Sequence, residues 1–205
     1  MTFFTSDWHL NSSNIVNYEN RPFSDGHKMI DSYIRNINDK VTKSRDIMIH
    51  VGDFFHKGKS YYMDGDTELG YKADQLLDRI KCNVVLLEGN HDLNNTKFCH
   101  GRWMTVTLDK YKFATVGHYP SIDERFDIPY RGSSYENLHI HICGHVHRAF
   151  RFHLDHQKYI LNVNVGVDAW NHNVVPLNKL NGYIDSYLSK LLKNKAFYYN
   201  GHKSK

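Results

Sequence analysis

Short apolar runs that lead into polar residues recur along the chain. Five of them stand at residues 3–5, 47–51, 84–87, 113–116 and 138–143. Each has the length and β-branched content of a buried strand, and glycine closely follows four of the five. We therefore predict five buried strands, each ending directly before polar side chains.

A different periodicity separates the first two predicted strands. Apolar residues recur there at helical spacing, at Met29, Ile30, Tyr33, Ile34, Ile37 and Val41. Ser24 or Asp25 is suited to cap the start of this helix. We predict a second helix over residues 73–80 and a third near 184–192.

The order of these elements predicts the fold class. Strands and helices alternate early, whereas strands dominate after Phe113. This pattern favours an α/β sandwich with a mixed sheet over a purely doubly wound fold. The chain has 205 residues with a hydrophobic fraction of 40%, which is enough for one domain with a full core.

Three features predict a cytoplasmic protein that does not enter membranes. No apolar run approaches the roughly 20 residues needed to span a bilayer, and the first residues lack a basic start and a cleavage site. Cys82, Cys99 and Cys143 form no CxxC pair and are odd in number, which suits a reducing compartment and excludes a structural zinc knot.

The formal net charge of +4 changes this picture little. Much of it comes from lysines near the C-terminus, at positions 190, 193, 195, 203 and 205. A solvated lysine-rich end is the favoured interpretation, and the charge permits nucleic-acid binding without arguing for it.

The polar residues at the predicted strand ends are the ligand types that divalent metals require. They are carboxylate, amide and imidazole side chains, at Asp7, His9, Asp53, Asn90, His118, His145 and His147. In open α/β folds, functional residues collect at the carboxyl ends of strands. Two metals roughly 3.5–4 Å apart can clamp a phosphate and hold a hydroxide between them.

Spacing supports this grouping. Asp7 and His9, like His145 and His147, are separated by one residue, so in extended backbone both members of a pair point the same way. The tetrapeptide 89–92, Gly-Asn-His-Asp, is the strongest single motif. Asp and Asn could merely form turns at strand ends, but the ordered histidines favour a metal site.

These motifs together resemble the calcineurin-like metallophosphoesterase superfamily. The resemblance also includes residues 14–16, 20–23, 118–120 and 164–168, which are similar to segments of small bacterial and phage members. It covers about Phe3 to Leu177. We therefore expect a metallophosphoesterase domain over 1–177 and, over 178–205, a C-terminal helix and lysine-rich tail packed on or trailing from it.

The resemblance implies a fold and a set of roles. The fold is a β-sandwich of mixed sheets flanked by helices, in four layers ordered α-β-β-α. Asp7, His9 and His147 would hold one metal, while Asn90, His118 and His145 would hold the other. Asp53 would bridge both. His91 would protonate the leaving oxygen or steady the phosphoryl charge, and Asp92 would orient His91.

Further residues receive less specific predictions. Arg21 could bind phosphate as a bidentate fork or cap a helix-entry loop. His56 could reach the substrate, although a solvated loop histidine is favoured. Asp168 could support a metal-binding histidine and Asn164 could terminate its strand. His50, His139 and His141 are expected to be structural.

Two segments bear on substrate choice. Members of the subgroup often carry Phe-Gly-His after the first motif, whereas this chain has Leu-Asn-Ser at residues 10–12. A histidine often found near substrate is therefore missing. The segment Lys57 to Lys72 could be a lid near the site, with a plain surface loop the favoured alternative.

The function that these residues predict is hydrolysis of a phosphomonoester or phosphodiester by a hydroxide held between two divalent metals. Manganese is the first expectation, with iron, zinc or nickel compatible with the same ligands. A phosphorylated small molecule or nucleotide is the expected substrate. The alternatives are a nuclease or nucleic-acid-end-processing enzyme and a non-catalytic metal-binding scaffold. The oligomeric state is open.

Overall fold

Two β-sheets pack face to face in the computed structural model, which describes residues 1–56, 67–92, 96–108 and 112–201. The strands are β1 Thr2–Thr5, β2 Ile47–Val51, β3 Asn83–Leu87, β4 Trp103–Leu108, β5 Lys112–Gly117, β6 His139–Cys143, β7 Phe152–Asp155, β8 Ile160–Asn164 and β9 Val175–Pro176. The helices are α1 Ile15–Tyr18, α2 Gly26–Lys40, α3 Ala73–Leu77 and α4 Leu177–Gly201.

Both sheets are mixed. The first has the order β3-β2-β1-β9, in which β1, β2 and β3 are parallel and β9 is antiparallel to β1. The second has the order β4-β5-β6-β8-β7, in which β5, β6 and β8 are parallel and both outer strands are antiparallel to their neighbours. Parallel strands of each sheet therefore bring their carboxyl ends to one edge.

Alternation along the strands of the first sheet divides the core into two layers. Phe3, Met48 and Leu86 face one way and pack with the buried faces of α1, α2 and α3. Phe4 and Ile49 face the other way and pack against the inner side chains of the second sheet. The helix α4 joins this inner layer through Leu180 and Ile184, both fully buried.

The outer face of the second sheet is covered by the segment 118–138. Nε2 of His141 lies 3.0 Å from the carbonyl oxygen of Tyr119, and the ring of Tyr130 stacks on that of His139. Ser121 is fully buried; its backbone N–H donates to Asn162 Oδ1 at 2.7 Å and its hydroxyl donates to Asp155 Oδ2 at 2.9 Å. A buried polar network thus fixes the base of this segment.

The predicted mixed α/β sandwich flanked by helices is confirmed, and all five predicted strands are present. The predicted helix at Met29–Val41 is α2, and Asp25 caps it by accepting a hydrogen bond from the N–H of Lys28 at 2.8 Å. The predicted helix 73–80 ends earlier, at Leu77, and the helix expected near 184–192 extends over Leu177–Gly201. Asn164 ends β8, as predicted.

Several other observations bear on the predictions. No helix within the described ranges has the length and apolar character needed to cross a membrane. The three cysteines, all within the described part of the chain, form no disulfide.

His139 and His141 both contact Thr115 Oγ1, at 2.8 and 3.0 Å, which fits their predicted structural role. His50 is buried and packs edge-on against Trp8 and Phe54.

Candidate metal centre

Strand ends of the two sheets meet at one place because backbone contacts join them there. Ser6 forms a parallel bridge with Gly166, and the N–H of Val167 donates to the carbonyl of Ser6 at 3.1 Å. Within the second sheet, the N–H of Gly144 donates to the carbonyl of His118 at 3.0 Å and so holds the ends of β5 and β6 together. All seven side chains predicted as metal ligands follow strands that end at this edge.

The ligand atoms of these residues form overlapping groups, in each of which the atoms lie within 4.8 Å of one another. The groups are Asp7, His9 and His147; His9, Asp53 and His91; and Asp53, His118 and His145. Asp53 belongs to two of them, as a bridging carboxylate must. His91, predicted as an acid rather than a ligand, also lies within reach of Asp53 and His9.

Asp53 is the centre of the arrangement. Its Oδ2 lies 3.3 Å from Nε2 of His118 and 3.6 Å from Nε2 of His9. Its Oδ1 accepts a hydrogen bond from the backbone N–H of His91 at 2.8 Å. Oδ1 of Asn90 lies 3.1 Å from the same His118 nitrogen. Groups that follow β1, β3 and β5 therefore converge on the one carboxylate that follows β2.

The other predicted ligand group surrounds Asp7, which is fully buried. Both Asp7 carboxylate oxygens are within hydrogen-bond distance of the His145 N–H, at 3.0 and 3.1 Å. The rings of His9 and His147 stack with their centroids 5.2 Å apart. The first and the last motif of the chain are thus in direct contact.

The backbone at the paired motifs differs from the prediction. Extended backbone was expected at Asp7, His9, His145 and His147, but their φ values are +59°, +49°, +71° and +45°. Asp53 is also left-handed, at +56°. Such conformations cost about 1–3 kcal/mol each in ordinary side-chain-bearing residues, so the surrounding contacts must impose them.

Two glycines are required by close approach at this centre. Gly52 has a φ of +87°, and a Cβ there would overlap the ring of His118. A Cβ on Gly89 would overlap both the backbone nitrogen and Oδ1 of Asp53. A residue larger than glycine at either position would displace a candidate ligand.

Hydrogen bonds to the far ring nitrogens orient two of the histidines. Nδ1 of His118 donates to the carbonyl of Val51 at 2.9 Å, which directs Nε2 toward Asp53. Nδ1 of His147 lies 2.7 Å from Oδ2 of Asp168. Asp168 thus supports a candidate metal-binding histidine, as predicted.

The structure corrects the predicted substrate role of Arg21. Its side chain is fully buried and forms a bidentate pair with Asp168, at 2.9 and 2.8 Å. The same guanidinium donates to the carbonyls of Asp7 and Trp8, at 2.7 and 3.0 Å. Arg21 therefore supports the backbone beneath the site, and all three of its guanidinium nitrogens already donate to acceptors of the protein.

The contacts of Asp92 also differ from the prediction. Its carboxylate accepts hydrogen bonds from the backbone N–H groups of Asp53, Phe54, Phe55 and Gly89, at 2.7 to 3.2 Å. None of its contacts in the described part of the chain reaches the ring of His91. Asp92 holds the turn after β2 to the turn after β3, and so it positions Asp53 rather than His91.

The charge of Asp53 shifts the pKa values of His118 and His9, and these histidines shift the pKa of Asp53. Burial alone would lower the pKa of His118, but the Asp53 carboxylate outweighs it and raises that pKa to about 9. The same pair holds the pKa of Asp53 well below its usual range despite burial. Burial lowers the pKa of His9 well below its ordinary value, which leaves that ring neutral with a lone pair available.

The residues present fit a divalent metal. Nε2 of His9 is buried and has no hydrogen-bond partner among the described residues, although an unpaired buried polar atom costs about 1–3 kcal/mol. This nitrogen faces the Asp53 carboxylate, 3.6 Å from Oδ2. A cation shared by these atoms satisfies the lone pair, and the mixed oxygen and nitrogen donors suit a borderline metal.

The remaining predicted residues lie close by. His56 is buried rather than solvated, with its ring centroid 6.3 Å from that of His91, and its contact with substrate stays a prediction. Leu10 and Asn11 are fully buried. The N–H of Leu69 donates to the carbonyl of Asn11 at 2.9 Å, so the described end of the predicted 57–72 loop adjoins the first motif. Residues 57–66 lie outside the described ranges.

Three residues near the site escaped the sequence analysis. Oε1 of Glu19 lies 3.7 Å from Nδ1 of His147. Arg125 and Asp123 both approach Nε2 of His145, at 2.7 and 3.4 Å. Arg125 and Asp123 stand in a segment without strand or helix periodicity, so only their nearness in sequence to His118 could have indicated them. Glu19 follows α1, and no sequence signal marked it.

Comparison with known sequences agrees with this geometry. Residues 2–199 match the calcineurin-like phosphoesterase family. The match spans nearly the whole chain and includes all seven candidate ligands. The chain belongs to the calcineurin-like phosphoesterase family. The resemblance drawn from the motifs is confirmed, and the match reaches past Leu177 into α4.

Two relatives of this calcineurin-like phosphoesterase can be compared with it. An uncharacterized protein of Methanocaldococcus jannaschii is 30% identical over 181 residues, which cover 86% of each chain. The crystal structure of a protein of unknown function from Aquifex aeolicus superposes with a TM-score of 0.62 at 21% identity, covering 89% of this chain and 98% of that one. The second likeness supports the fold alone.

Proposed function

We propose that this calcineurin-like phosphoesterase hydrolyses phosphoesters with two divalent metals held by Asp7, His9, Asp53, Asn90, His118, His145 and His147. The observation that carries the proposal is that Asp53 belongs to two groups of possible ligand atoms, one with His9 and His91 and the other with His118 and His145. A carboxylate shared by two ligand groups is what a bridging ligand between two metals requires, and this supports the proposal.

Residues of the chain would hold the metals, fix their ligands in position and transfer a proton. Bound divalent cations neutralise phosphate oxygens and acidify water. His9 and His118 present ring nitrogens toward Asp53, and Asp92 fixes the backbone that carries that carboxylate. His91 is only partly buried, its ring stands edge-on to that of His9, and its backbone is held by Asp53. These contacts support the proposal that His91 gives a proton to the leaving oxygen.

The finer assignments are also proposals. We expect Mn²⁺ as the first metal, with iron, zinc and nickel compatible with the donor set. The substrate class is a phosphorylated small molecule or nucleotide. We also propose a cytoplasmic location, which the three free cysteines support. Nucleic-acid ends are the alternative substrate, and the assay below separates them from small esters.

The proposal is tested by hydrolysis of a chromogenic phosphomonoester and a chromogenic phosphodiester by metal-stripped protein, with and without Mn²⁺. We expect turnover that depends on Mn²⁺ and is lost in Asp53→Ala. In His91→Asn, turnover should fall by about 10²–10⁴ while Mn²⁺ binding is kept. A labelled oligonucleotide in the same assay tests the alternative. Turnover that Asp53→Ala retains would contradict the proposal.

A further inference from the structure

His145 differs from the other candidate ligands in what its Nε2 atom contacts. This nitrogen lies 2.7 Å from Nη2 of Arg125 and 3.4 Å from Oδ2 of Asp123. Arg125 and Asp123 also form a bidentate pair with each other, both N···O distances being 2.8 Å. One ring nitrogen therefore faces a donor and an acceptor at once.

The contact with Arg125 and cation binding at His145 exclude each other. A guanidinium only donates, so the contact requires a lone pair on Nε2. A neutral imidazole has one lone pair, and its other nitrogen then carries the proton. Nδ1 of His145 is in that case unable to bind a cation. If Nε2 is the binding atom instead, Arg125 already occupies its lone pair.

Asp123 favours the opposite tautomer. A carboxylate accepts, so an Asp123 contact places the proton on Nε2 and leaves the lone pair on Nδ1 for a cation. His147 has a similar arrangement, because one of its ring nitrogens faces Asp168 at 2.7 Å and Arg21 holds that carboxylate. The two histidines differ in that Arg125 also touches the ring of His145.

We propose that cation binding exchanges the Nε2 partner of His145 from Arg125 to Asp123. Asp123 is then a positioning residue that favours the bound cation, and Arg125 is a competitor that must move aside. The inference rests on the proposed function in one respect, namely that His145 binds a metal.

The surroundings allow the side chain of Arg125 to move while Asp123 stays. Asp123 has a side chain only 16% exposed and lies two residues after Ser121, which the buried network holds. The side chain of Arg125 is 44% exposed, and its guanidinium lies 4.3 Å from the centre of the Tyr119 ring. The guanidinium can therefore slide over the ring without a backbone change.

The test is Mn²⁺ titration calorimetry on the metal-stripped full chain, comparing wild type with Asp123→Asn and Arg125→Ala. We expect Asp123→Asn to bind Mn²⁺ about tenfold more weakly, as the loss of a carboxylate behind a metal-binding histidine does. Arg125→Ala should bind about threefold more tightly or better, since a competing donor and a nearby cation are removed. Opposite signs are the signature, because a purely structural ion pair broken from either side shifts both variants the same way.

A second ion pair provides the matched control. Arg102 and Asp127 are 2.8 Å apart, are both more than half exposed, and line the same small depression as Arg125 and Tyr119. No described contact joins either of them to His145. Arg102→Ala and Asp127→Asn should leave Mn²⁺ affinity within about twofold of wild type. Thermal unfolding of the metal-free variants confirms that each is folded.

Three outcomes overturn the inference. Shifts of the same sign in Asp123→Asn and Arg125→Ala would make the pair merely structural. If Arg102→Ala gained as much Mn²⁺ affinity as Arg125→Ala, the gain would come from removal of a positive charge and not from the end of competition for Nε2 of His145. A wild-type chain that binds no Mn²⁺ would overturn both this inference and the proposed function, whereas the first two outcomes leave the proposed function intact.

Discussion

At the scale of single residues, the site depends on backbone conformations that its ligands would not adopt alone. Five of the seven candidate ligands are left-handed, and each is held by neighbours rather than by its own preference. The sequence predicted which residues gather, because residue types and their order are visible in it. Their backbone conformation was predicted wrongly, since it is imposed by hydrogen bonds between distant segments, such as that from the N–H of His9 to the carbonyl of Asp53.

The close approach of Gly89 to Asp53 leads to a prediction at this scale. Gly89→Ala places a Cβ on the Asp53 nitrogen and Oδ1, so that carboxylate must shift. Because a displacement of about 1 Å at a reacting centre can cost about 100-fold, we expect kcat to fall by about that factor. Gly182→Ala is the control, since its Cβ would meet open space in α4. Wild-type kcat in Gly89→Ala would show that Asp53 does not need its observed position.

At the scale of elements, the five strands β1, β2, β3, β5 and β6 and the helix α2 were predictable because apolar runs and helical spacing are local signals. The strands β4, β7, β8 and β9 were not predicted individually. β9 has only two residues, and β7 has four with mixed polarity, so each is defined by pairing with a distant neighbour. The same applies to Arg21, whose role follows from a partner 147 positions away.

Arg21 ties the segment between α1 and α2 to the 3₁₀ helix Val167–Trp170, and its loss should be costly. Arg21→Met leaves the Asp168 carboxylate buried without its cation, which costs about 3–5 kcal/mol of unfolding free energy. Arg79→Met is the control, because its pair with Asp31 is exposed at both ends and contributes about 1 kcal/mol or less. Urea unfolding measures both. Equal losses in the two variants would contradict the burial argument.

At the scale of the whole molecule, the centre lies where the two sheets meet. Asp7, His9, Asp53 and Asn90 follow strands of the first sheet, whereas His118, His145 and His147 follow strands of the second. The order of motifs along the chain predicted this constellation through its family resemblance. The pairing of strands within each sheet was not predicted, because it depends on contacts between segments far apart in the sequence.

The central claim is that Asp53 joins two metals in one site, and the number of bound ions tests it most directly. Metal-stripped protein is saturated with Mn²⁺ and desalted, and the ions per chain are counted by elemental analysis and by the electron paramagnetic resonance signal of coupled Mn²⁺. We predict two coupled ions per wild-type chain and at most one, uncoupled, in Asp53→Ala. One ion in the wild type, or two coupled ions that persist in Asp53→Ala, would contradict the account.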